Sequence, residues 1–403
     1  MNGMRVVVFS ALVLAGTSVL GAQAPRTLLA RGEVLARVRE RVRAGDSALA
    51  PAYAKLLDDA RRALAVAPAS VMDKQRMPAS GDRHDYMSFG PYWWPDSTKP
   101  DGLPFIRRDG QVNPGSRQDS DSPRMGRMSD ASTTLALAYY LSGDERYAEH
   151  AARLLRTWFL DSATRMNPNL RFGQAIPGIT DGRGIGLIDT RELASLIDAM
   201  ALLHGSPSWR ADDEQGMLRW YGDFLRWLKT SPQGLDEAKE KNNHGTWVDV
   251  QTAAIALFVG DTAFARQVVA ERGRRRIDTQ ITSDGREPFE LARTRSLSYS
   301  QFNADALTRL AELGRWVGVD LWHYTSPTGG SIRGALAYLA PYADSTRKWP
   351  VRQITPVSSS ALLGTYRRAD AALRDPALRT AIAQMPAANR ATDRSRLLYP
   401  DAP

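Results

Sequence analysis

The chain has 403 residues, of which 43% are hydrophobic and 24% charged, with a formal net charge of +9 and no cysteine. These values are typical of a globular protein with one large core or two domains. The absence of cysteine excludes disulfides, cysteine nucleophiles, thiolate metal sites and a lipid-anchored cysteine. Because no nucleic-acid-binding motif is present, the basic balance favours an anionic glycan as partner and no nucleic acid.

The first residues have the pattern of a secretion signal. Met1 to Arg5 is a basic start, Val6 to Leu20 is apolar apart from small or hydroxyl residues, and Gly21 to Ala24 ends in an Ala-x-Ala pattern. The apolar run is shorter than the roughly 20 residues that a membrane-spanning helix needs. We therefore predict a signal peptide over residues 1–24, a periplasmic or secreted protein, and no membrane association after cleavage.

Most of the remaining chain predicts helices, because its apolar residues recur at helical spacing. The predicted helical regions are residues 27–66 with a turn at 45–47, then 129–141, 145–159, 190–203, 213–228, 264–281, 303–317, 331–342 and 376–385. Residues 116–127 are predicted to be a loop, and the tail after Ala387 to be polar and frayed. The predicted helix over residues 264–281 is basic at one end. Its arginines there are predicted to be solvated and to interact favourably with the helix dipole: Arg272, Arg274, Arg275 and Arg276.

Two long irregular segments interrupt the helices. Asp82 to Asp96 contains five aromatic residues, which argue against disorder and for a functional loop. Its tryptophans, Trp93 and Trp94, either stack on the apolar faces of sugar rings or fill the core under the loop. The second segment, Asn167 to Asp189, is rich in glycine but has no preceding strand and lacks the spacing of a nucleotide-binding motif.

Two polar motifs further along the chain carry the chemistry. Lys241 to Trp247 contains two asparagines and a histidine ahead of a predicted helix, so the asparagines predict a helix start with His244 near its first turn. Arg293 to Tyr299 contains two arginines and a tyrosine ahead of another helix. Singly, each residue is more typical of a cap or a surface group. Together they supply what proton removal beside a carboxylate needs, namely donors that neutralise the acid, a base, and an acid for the leaving oxygen.

These motifs also carry a resemblance. Asn-Asn-His-Gly-Thr-Trp at 242–247, followed by Arg-Thr-Arg-Ser-Leu-Ser-Tyr-Ser-Gln-Phe-Asn at 293–303, resembles the alginate lyase superfamily of polysaccharide lyases, in particular the branch of alginate and glucuronan lyases. The likeness extends from His84 to about Trp322. It implies an all-α fold, an (α/α) toroid that is an incomplete barrel of helical hairpins with aromatic and glycine-rich cleft loops. We expect one such catalytic domain over residues 25–403.

The resemblance implies β-elimination on a 1,4-linked polyuronate, either alginate, especially mannuronate-rich alginate, or glucuronan, with 4,5-unsaturated uronate ends as products. Asn243 and Arg293 match the residues that neutralise the uronate carboxylate. His244 matches the residue that abstracts the C5 proton or helps to neutralise charge, depending on the epimer. Tyr299 matches the tyrosine that protonates the leaving oxygen and also acts as base where both groups lie on one side of the ring. We expect Arg293, Arg295 and His244 to lower the pKa of Tyr299 from its usual value of about 10.

The predicted substrate-binding residues come from the loops and the two motifs: His84, Tyr92, Trp93, Trp94, Arg171, Gln174, Asn242, Trp247 and Arg295. No cofactor and no catalytic metal are expected, because the five histidines include no His-x-x-x-His pair, although a structural cation with oxygen ligands stays open.

Two other functions stay open. One is a toroid glycoside hydrolase that uses a pair of carboxylates, drawn from Asp189, Asp249, Glu287 and Glu290. The other is a glycan-binding protein without catalysis. The preferred polymer, internal or terminal cleavage, and the oligomeric state are not predicted.

Overall fold

The computed structural model describes residues 24–401 of the chain. The predicted signal peptide lies outside these residues, apart from Ala24. Within the described part of the chain, no helix is long and apolar enough to cross a membrane.

Helices make up most of the structure. Their bounds are α1 Gly32–Arg43, α2 Ala50–Ala63, α3 Asp121–Ser142, α4 Glu145–Phe159, α5 Leu193–Leu203, α6 Ala211–Thr230, α7 Pro232–Glu237, α8 Asn243–Phe258, α9 Thr262–Gln267, α10 Arg274–Gln280, α11 Pro288–Leu291, α12 Ser296–Val317, α13 Ile332–Leu339, α14 Leu363–Leu373, α15 Pro376–Gln384, α16 Ala387–Thr392 and α17 Ser395–Leu398.

Neighbouring helices pack pairwise around a common apolar core. Helix α3 contacts α2, α4 and α5, helix α8 contacts α5, α6 and α12, and α12 contacts α13 and α14. This succession of packed helical pairs is the predicted (α/α) toroid, and the prediction of an all-α fold is confirmed.

Short strands hold the two irregular segments in place. Strand β1 (Met87–Phe89) pairs in parallel with β4 (Phe172–Ala175). Strand β2 (Trp93–Trp94) pairs antiparallel with β3 (Ile106–Arg107). The aromatic loop and the glycine-rich loop are therefore fastened to each other, although they are far apart in sequence.

Helix α8 lies at the centre and is buried on nearly all sides, so its polar side chains need partners inside the protein. Gln251 accepts a hydrogen bond of 2.7 Å from Thr190. Asp249 accepts one of 2.8 Å from Nε of Arg276. The prediction that Arg276 is solvated is thus wrong, because its guanidinium balances a buried carboxylate and also donates 2.8 Å to the carbonyl of Ala238.

Two further predictions are wrong because the deciding partners lie far along the chain. Helix α3 begins at Asp121, inside the predicted loop, and the buried Asp121 accepts from the backbone N–H of Met87 at 2.9 Å and pairs with Lys74 at 3.1 Å. The tail is not frayed, since Leu397 is buried in the core and the buried Tyr399 hydroxyl accepts from Arg368 at 3.1 Å.

Candidate active site

The first motif lies at the start of α8, as predicted. Asn242 is the N-cap, and its Oδ1 accepts from the backbone N–H of His244 at 2.9 Å. This bond satisfies one of the free donors in the first turn of the helix. Asn242 therefore acts as a cap, which fixes the two residues after it.

Asn243 is held by a carboxylate from α11. Its backbone N–H donates to Glu290 Oε1 at 2.6 Å, and its side-chain Nδ2 donates to Oε2 at 2.8 Å. Glu290 lies three residues before Arg293, so this pair of bonds joins the two motifs. Asn243 is fully buried, and its predicted contact with a substrate carboxylate stays a prediction.

The ring of His244 faces a second carboxylate. Its Nδ1 lies 2.8 Å from Oε1 of Glu237, the last residue of α7. The His244 side chain is 14% exposed and that of Glu237 is 1% exposed. The imidazole is therefore anchored on its inner side and open to the surface on the other.

Tyr299 lies in the first turn of α12, in a group that we call the tyrosine cluster: Tyr92, Asp109, Arg293 and Tyr299. The hydroxyls of Tyr299 and Tyr92 are 2.6 Å apart, and Nη2 of Arg293 donates to the Tyr299 hydroxyl at 3.0 Å. The Arg293 guanidinium carbon also lies 4.0 Å from the centre of the Tyr299 ring. The second motif and the aromatic loop thus meet at one hydroxyl.

Asp109 completes the tyrosine cluster from the loop that follows β3. It pairs with Nη2 of Arg293 at 2.7 Å and accepts from the backbone N–H of Thr294 at 3.2 Å. Although burial acts to raise it, the bonds from Arg293 and Thr294 hold the pKa of Asp109 well below its usual range. The next residue, Gly110, has a positive φ of 72°, and a Cβ there would collide with the Thr294 side chain. The loop therefore approaches the motif closely.

The Tyr299 pKa moves in the opposite direction from the prediction. Burial raises it above its ordinary value, and the neighbouring Tyr92 adds to the rise, whereas Arg293 acts in the other direction without outweighing them. The charge of Arg293 is already shared with Asp109, and Arg295 donates instead to Thr355 at 3.0 Å. The expectation of a lowered pKa is wrong, and Tyr299 is a protonated phenol at neutral pH.

Beneath the motifs lies a second polar group, which we call the buried cluster: Asn243, Gln280, Glu287, Glu290 and Asn303. Asn303 Nδ2 donates to Glu287 Oε1 at 2.6 Å and to Gln280 Oε1 at 2.9 Å. Burial and the charge of Glu290 raise the pKa of Glu287 well above its usual value. Burial also raises the pKa of Glu290, against the bonds from Asn243 and the charges of Arg293 and His244.

Comparison with known proteins identifies the family of this chain. The family model described as alginate lyase matches residues 70–349. A crystal structure of an alginate lyase from Bacteroides ovatus is 42% identical, with a TM-score of 0.89 over 93% of this chain and 99% of that chain. The chain belongs to the alginate lyase family. It is therefore a polysaccharide lyase.

Structures of more distant members share the fold of this lyase. Alginate lyase A1-III from Sphingomonas species A1 is 17% identical, with a TM-score of 0.53 over 85% of this chain and 94% of that chain. A variant of alginate lyase A1-III complexed with a tetrasaccharide is 17% identical, with a TM-score of 0.58 over 95% of this chain and 99% of that chain. A search of curated proteins finds no match.

The aromatic loop of the lyase places its tryptophans beside arginines. Trp93 and Trp94 are both half-buried on β2. The guanidinium of Arg183 lies 5.9 Å from the Trp93 ring, and that of Arg108 lies 5.2 Å from the Trp94 ring. The alternatives of sugar stacking and core packing both stay open, since each indole keeps some exposed surface.

Several predicted sugar contacts are occupied by structural bonds instead. Trp247 is 1% exposed and stacks against Phe302 with ring centres 4.9 Å apart, so it has no face for a sugar. Gln174 is 6% exposed and bonds to Asp189 at 3.2 Å and Arg183 at 3.0 Å. The burial of Trp247 and Gln174 does not support contact with substrate. The capping role of Asn242 does not support it either. Arg295 is half-buried and points to Thr355.

Two predicted contacts keep accessible surface. His84 is half-exposed, with its Nδ1 2.6 Å from the carbonyl of Arg165. Arg171 is exposed, with its guanidinium 6.0 Å from the Phe172 ring. Their predicted contacts with substrate stay predictions.

The carboxylates proposed for a hydrolase are all engaged in structural bonds. Asp189 accepts from Tyr86 at 3.0 Å and Ser88 at 2.6 Å, and Asp249 pairs with Arg276. Glu287 and Glu290 belong to the buried cluster. No two of these four carboxylates are free of structural bonds and exposed together at the surface, as a hydrolase pair would be. Because the chain belongs to the alginate lyase family, the hydrolase alternative is wrong. Within residues 24–401, no group of three or more His, Asp or Glu side chains is placed to hold a metal ion.

The sequence analysis missed three residues that contact its candidate site residues: Asp109, Glu237 and Arg183. Asp109 lies 184 residues before its partner Arg293. Glu237 is only seven residues before His244, at the end of a short helix, and a search for carboxylates near the histidine would have found it. Arg183 lies between two glycines, in a segment whose sequence pattern does not indicate a role for it.

Proposed function

We propose that this lyase cleaves 1,4-linked polyuronates by β-elimination, acting on alginate, especially mannuronate-rich alginate, or on glucuronan. The observation that carries the proposal is the meeting of the Tyr299 hydroxyl with Tyr92 and Arg293, together with the His244 imidazole that Glu237 anchors. The net charge of +9 suits an anionic chain. The known binding of a tetrasaccharide by a structural relative also favours an oligosaccharide substrate.

The first chemical requirement is to stabilise charge on the uronate carboxylate, because loss of the C5 proton forms an enediolate there. Arg293 uses Nε and Nη2 for Asp109 and Tyr299, and within residues 24–401 its Nη1 makes no hydrogen bond. We assign this free edge to the carboxylate. Asn243 is assigned a second donor to this carboxylate, through the Nδ2 hydrogen that Glu290 does not accept.

Two residues move the protons. His244 accepts the C5 proton, the electron pair of the C5–H bond forms the C4–C5 double bond, and the bond from C4 to the glycosidic oxygen breaks. Tyr299 donates its proton to that oxygen, a role that suits a phenol whose pKa is raised, since it stays protonated at neutral pH. The raised pKa disfavours the second expected role of Tyr299, that of a base for an epimer with both groups on one side of the ring.

The aromatic loop forms one wall of the proposed cleft. Tyr92, Trp93 and Trp94 offer ring faces to sugars, and His84 and Arg171 offer polar contacts further along the same loops. We further propose that the signal peptide over residues 1–24 directs the protein to the periplasm or outside the cell, where such polymers occur, and that residues 25–403 form one catalytic domain.

The test is to incubate purified protein with polymannuronate, polyguluronate and glucuronan, and to follow the absorbance of the unsaturated product. We expect rising absorbance with at least one polymer, unchanged by EDTA. New reducing ends without that absorbance would contradict β-elimination. The relative rates on the three polymers would identify the preferred epimer.

A further inference from the structure

We propose that Glu237 is a positioning residue that fixes the tautomer of His244, with the proton on Nδ1 and the lone pair on Nε2. This inference rests on the proposed function and deepens it, because it selects the atom that accepts the C5 proton. It starts from the distance of 2.8 Å between Nδ1 and Glu237 Oε1, inside a pair whose carboxylate is 1% exposed.

The backbone around the pair is held rigidly. Residues 238–242 connect Glu237 to α8, and Arg276 donates to the carbonyls of both Ala238 and Glu240 across this connection. Arg276 is itself buried and fixed by Asp249. Because Arg276 holds the connection at Ala238 and Glu240, Glu237 and His244 keep their mutual orientation without relying on their own bond.

The chemical consequence follows from the donor and acceptor properties of the two groups. A carboxylate only accepts hydrogen bonds, so the neutral imidazole must place its single N–H at Nδ1. Nε2 then carries the lone pair, and within residues 24–401 it has no hydrogen-bond partner. When Nε2 takes a proton, the resulting imidazolium keeps Nδ1–H against the negative carboxylate, which stabilises it.

Other histidines show why burial matters. His204 lies 2.7 Å from Glu214, but both side chains are exposed, at 76% and 37%. Water competes for such a bond and screens its charge. His150 contacts the carbonyl of Val66 through Nε2 at 2.9 Å, which predicts the opposite tautomer. The chain therefore contains both an exposed control pair and a reference for the other tautomer.

The direct test is a long-range ¹H–¹⁵N correlation spectrum of the full-length, histidine-labelled protein without substrate, near pH 8. The His244 signals are assigned as those missing from His244→Gln. We expect a protonated Nδ1 and an unprotonated Nε2 for His244, and a protonated Nε2 for His150. A protonated Nε2 on His244 in the wild type would overturn the proposal, whatever the enzyme's activity.

The kinetic test uses Glu237→Gln, which keeps the shape but removes the charge. We expect kcat to fall roughly 10- to 100-fold, the range typical for loss of a partner that orients a histidine, with KM little changed. A purely structural role would instead lower the amount of folded protein without this selective loss of kcat.

Two further variants separate the outcomes. Glu237→Asp keeps the charge and should recover part of the lost kcat, whereas Glu214→Gln should leave kinetics unchanged. Wild-type kcat in a folded Glu237→Gln would overturn the positioning role. If the wild-type protein yields no unsaturated product from any polyuronate, the proposed function fails, while the spectrum still decides the tautomer.

Discussion

The tyrosine cluster and the buried cluster are both polar and densely hydrogen-bonded, yet they differ in access to solvent. In the tyrosine cluster, the side chains of Arg293 and Asp109 are 17% and 23% exposed. In the buried cluster, Asn243 and Asn303 have no exposed surface. Bonds at the surface can be exchanged for bonds to a substrate, whereas buried bonds can only be kept or lost at a cost in stability. We therefore expect the first cluster to control turnover and the second, apart from the proposed role of Asn243, to control folding.

The largest effect is expected from Tyr299→Phe, which removes one hydroxyl from the tyrosine cluster and preserves the packing of the ring. Loss of a general acid or base lowers rates by roughly 10²–10⁴-fold, and we expect kcat to fall at the upper end of that range, since Tyr299 is the proposed acid for the leaving oxygen. The melting temperature should stay within about 2 °C of wild type. Retention of more than about a tenth of kcat would show that the role is wrong.

The next largest effect is expected in the buried cluster. Asn303→Ala removes two donated hydrogen bonds and leaves the buried Glu287 Oε1 without a partner, whereas Gln280 Oε1 keeps its bond from Thr246. The free energy of unfolding should fall by about 1–3 kcal/mol, as judged by denaturant titration, because that is the cost of one orphaned buried acceptor. Asn389→Ala, at an exposed residue bonded to Ser360, is the matched control and should change stability by less than about 0.5 kcal/mol. Equal losses of unfolding free energy in the two variants would show that the buried cluster contributes no more to stability than an exposed hydrogen bond.

A smaller effect is expected from the aromatic loop. Trp93→Ala and Trp94→Ala should each raise KM by up to about tenfold, since an aromatic contact contributes about 0.5–1.5 kcal/mol, with the melting temperature nearly unchanged. Trp227→Ala is the control, because that half-buried indole stacks on Phe224 on α6 with ring centres 5.8 Å apart. A large loss of thermal stability with unaltered kinetics in the loop variants would favour core packing.

The smallest effect concerns pH. Burial and the charge of Glu290 raise the pKa of Glu287, so the folded protein binds this proton more tightly than the unfolded chain. The stability that it provides is full at acid pH and is lost as pH rises through the raised pKa. In Glu287→Gln this side chain cannot ionise. The melting temperature of the variant should therefore exceed that of wild type by an amount that widens as the pH rises, reaching about 1–2 °C at pH values above 7. A difference independent of pH from 5 to 9 would show that Glu287 is ionised throughout.

The sequence predicted the helical fold and the two motifs because both depend on short-range signals. Helical spacing marks α4 and α6, and the cap at Asn242 is decided within three residues. The prediction of an (α/α) toroid came from the resemblance to the alginate lyase superfamily.

What escaped prediction depends on burial and on partners distant in sequence. The start of α3 at Asp121 requires Lys74 and Met87, and the ion pair of Arg293 requires Asp109 from another loop. The raised pKa of Tyr299 follows from its removal from water, which adjacent arginines in the sequence cannot reveal. Residue types alone therefore indicated a candidate site but predicted the wrong direction for the pKa shift of Tyr299.

β-Elimination is tested most directly by mass spectrometry of a defined oligouronate after partial digestion, when each chain has been cut once. Elimination splits the chain without adding water, so the masses of the two fragments should sum to the mass of the substrate, and the fragment from the new non-reducing end should be one water lighter than an intact oligouronate of that length. A sum that exceeds the mass of the substrate by the mass of one water would show hydrolysis and contradict β-elimination.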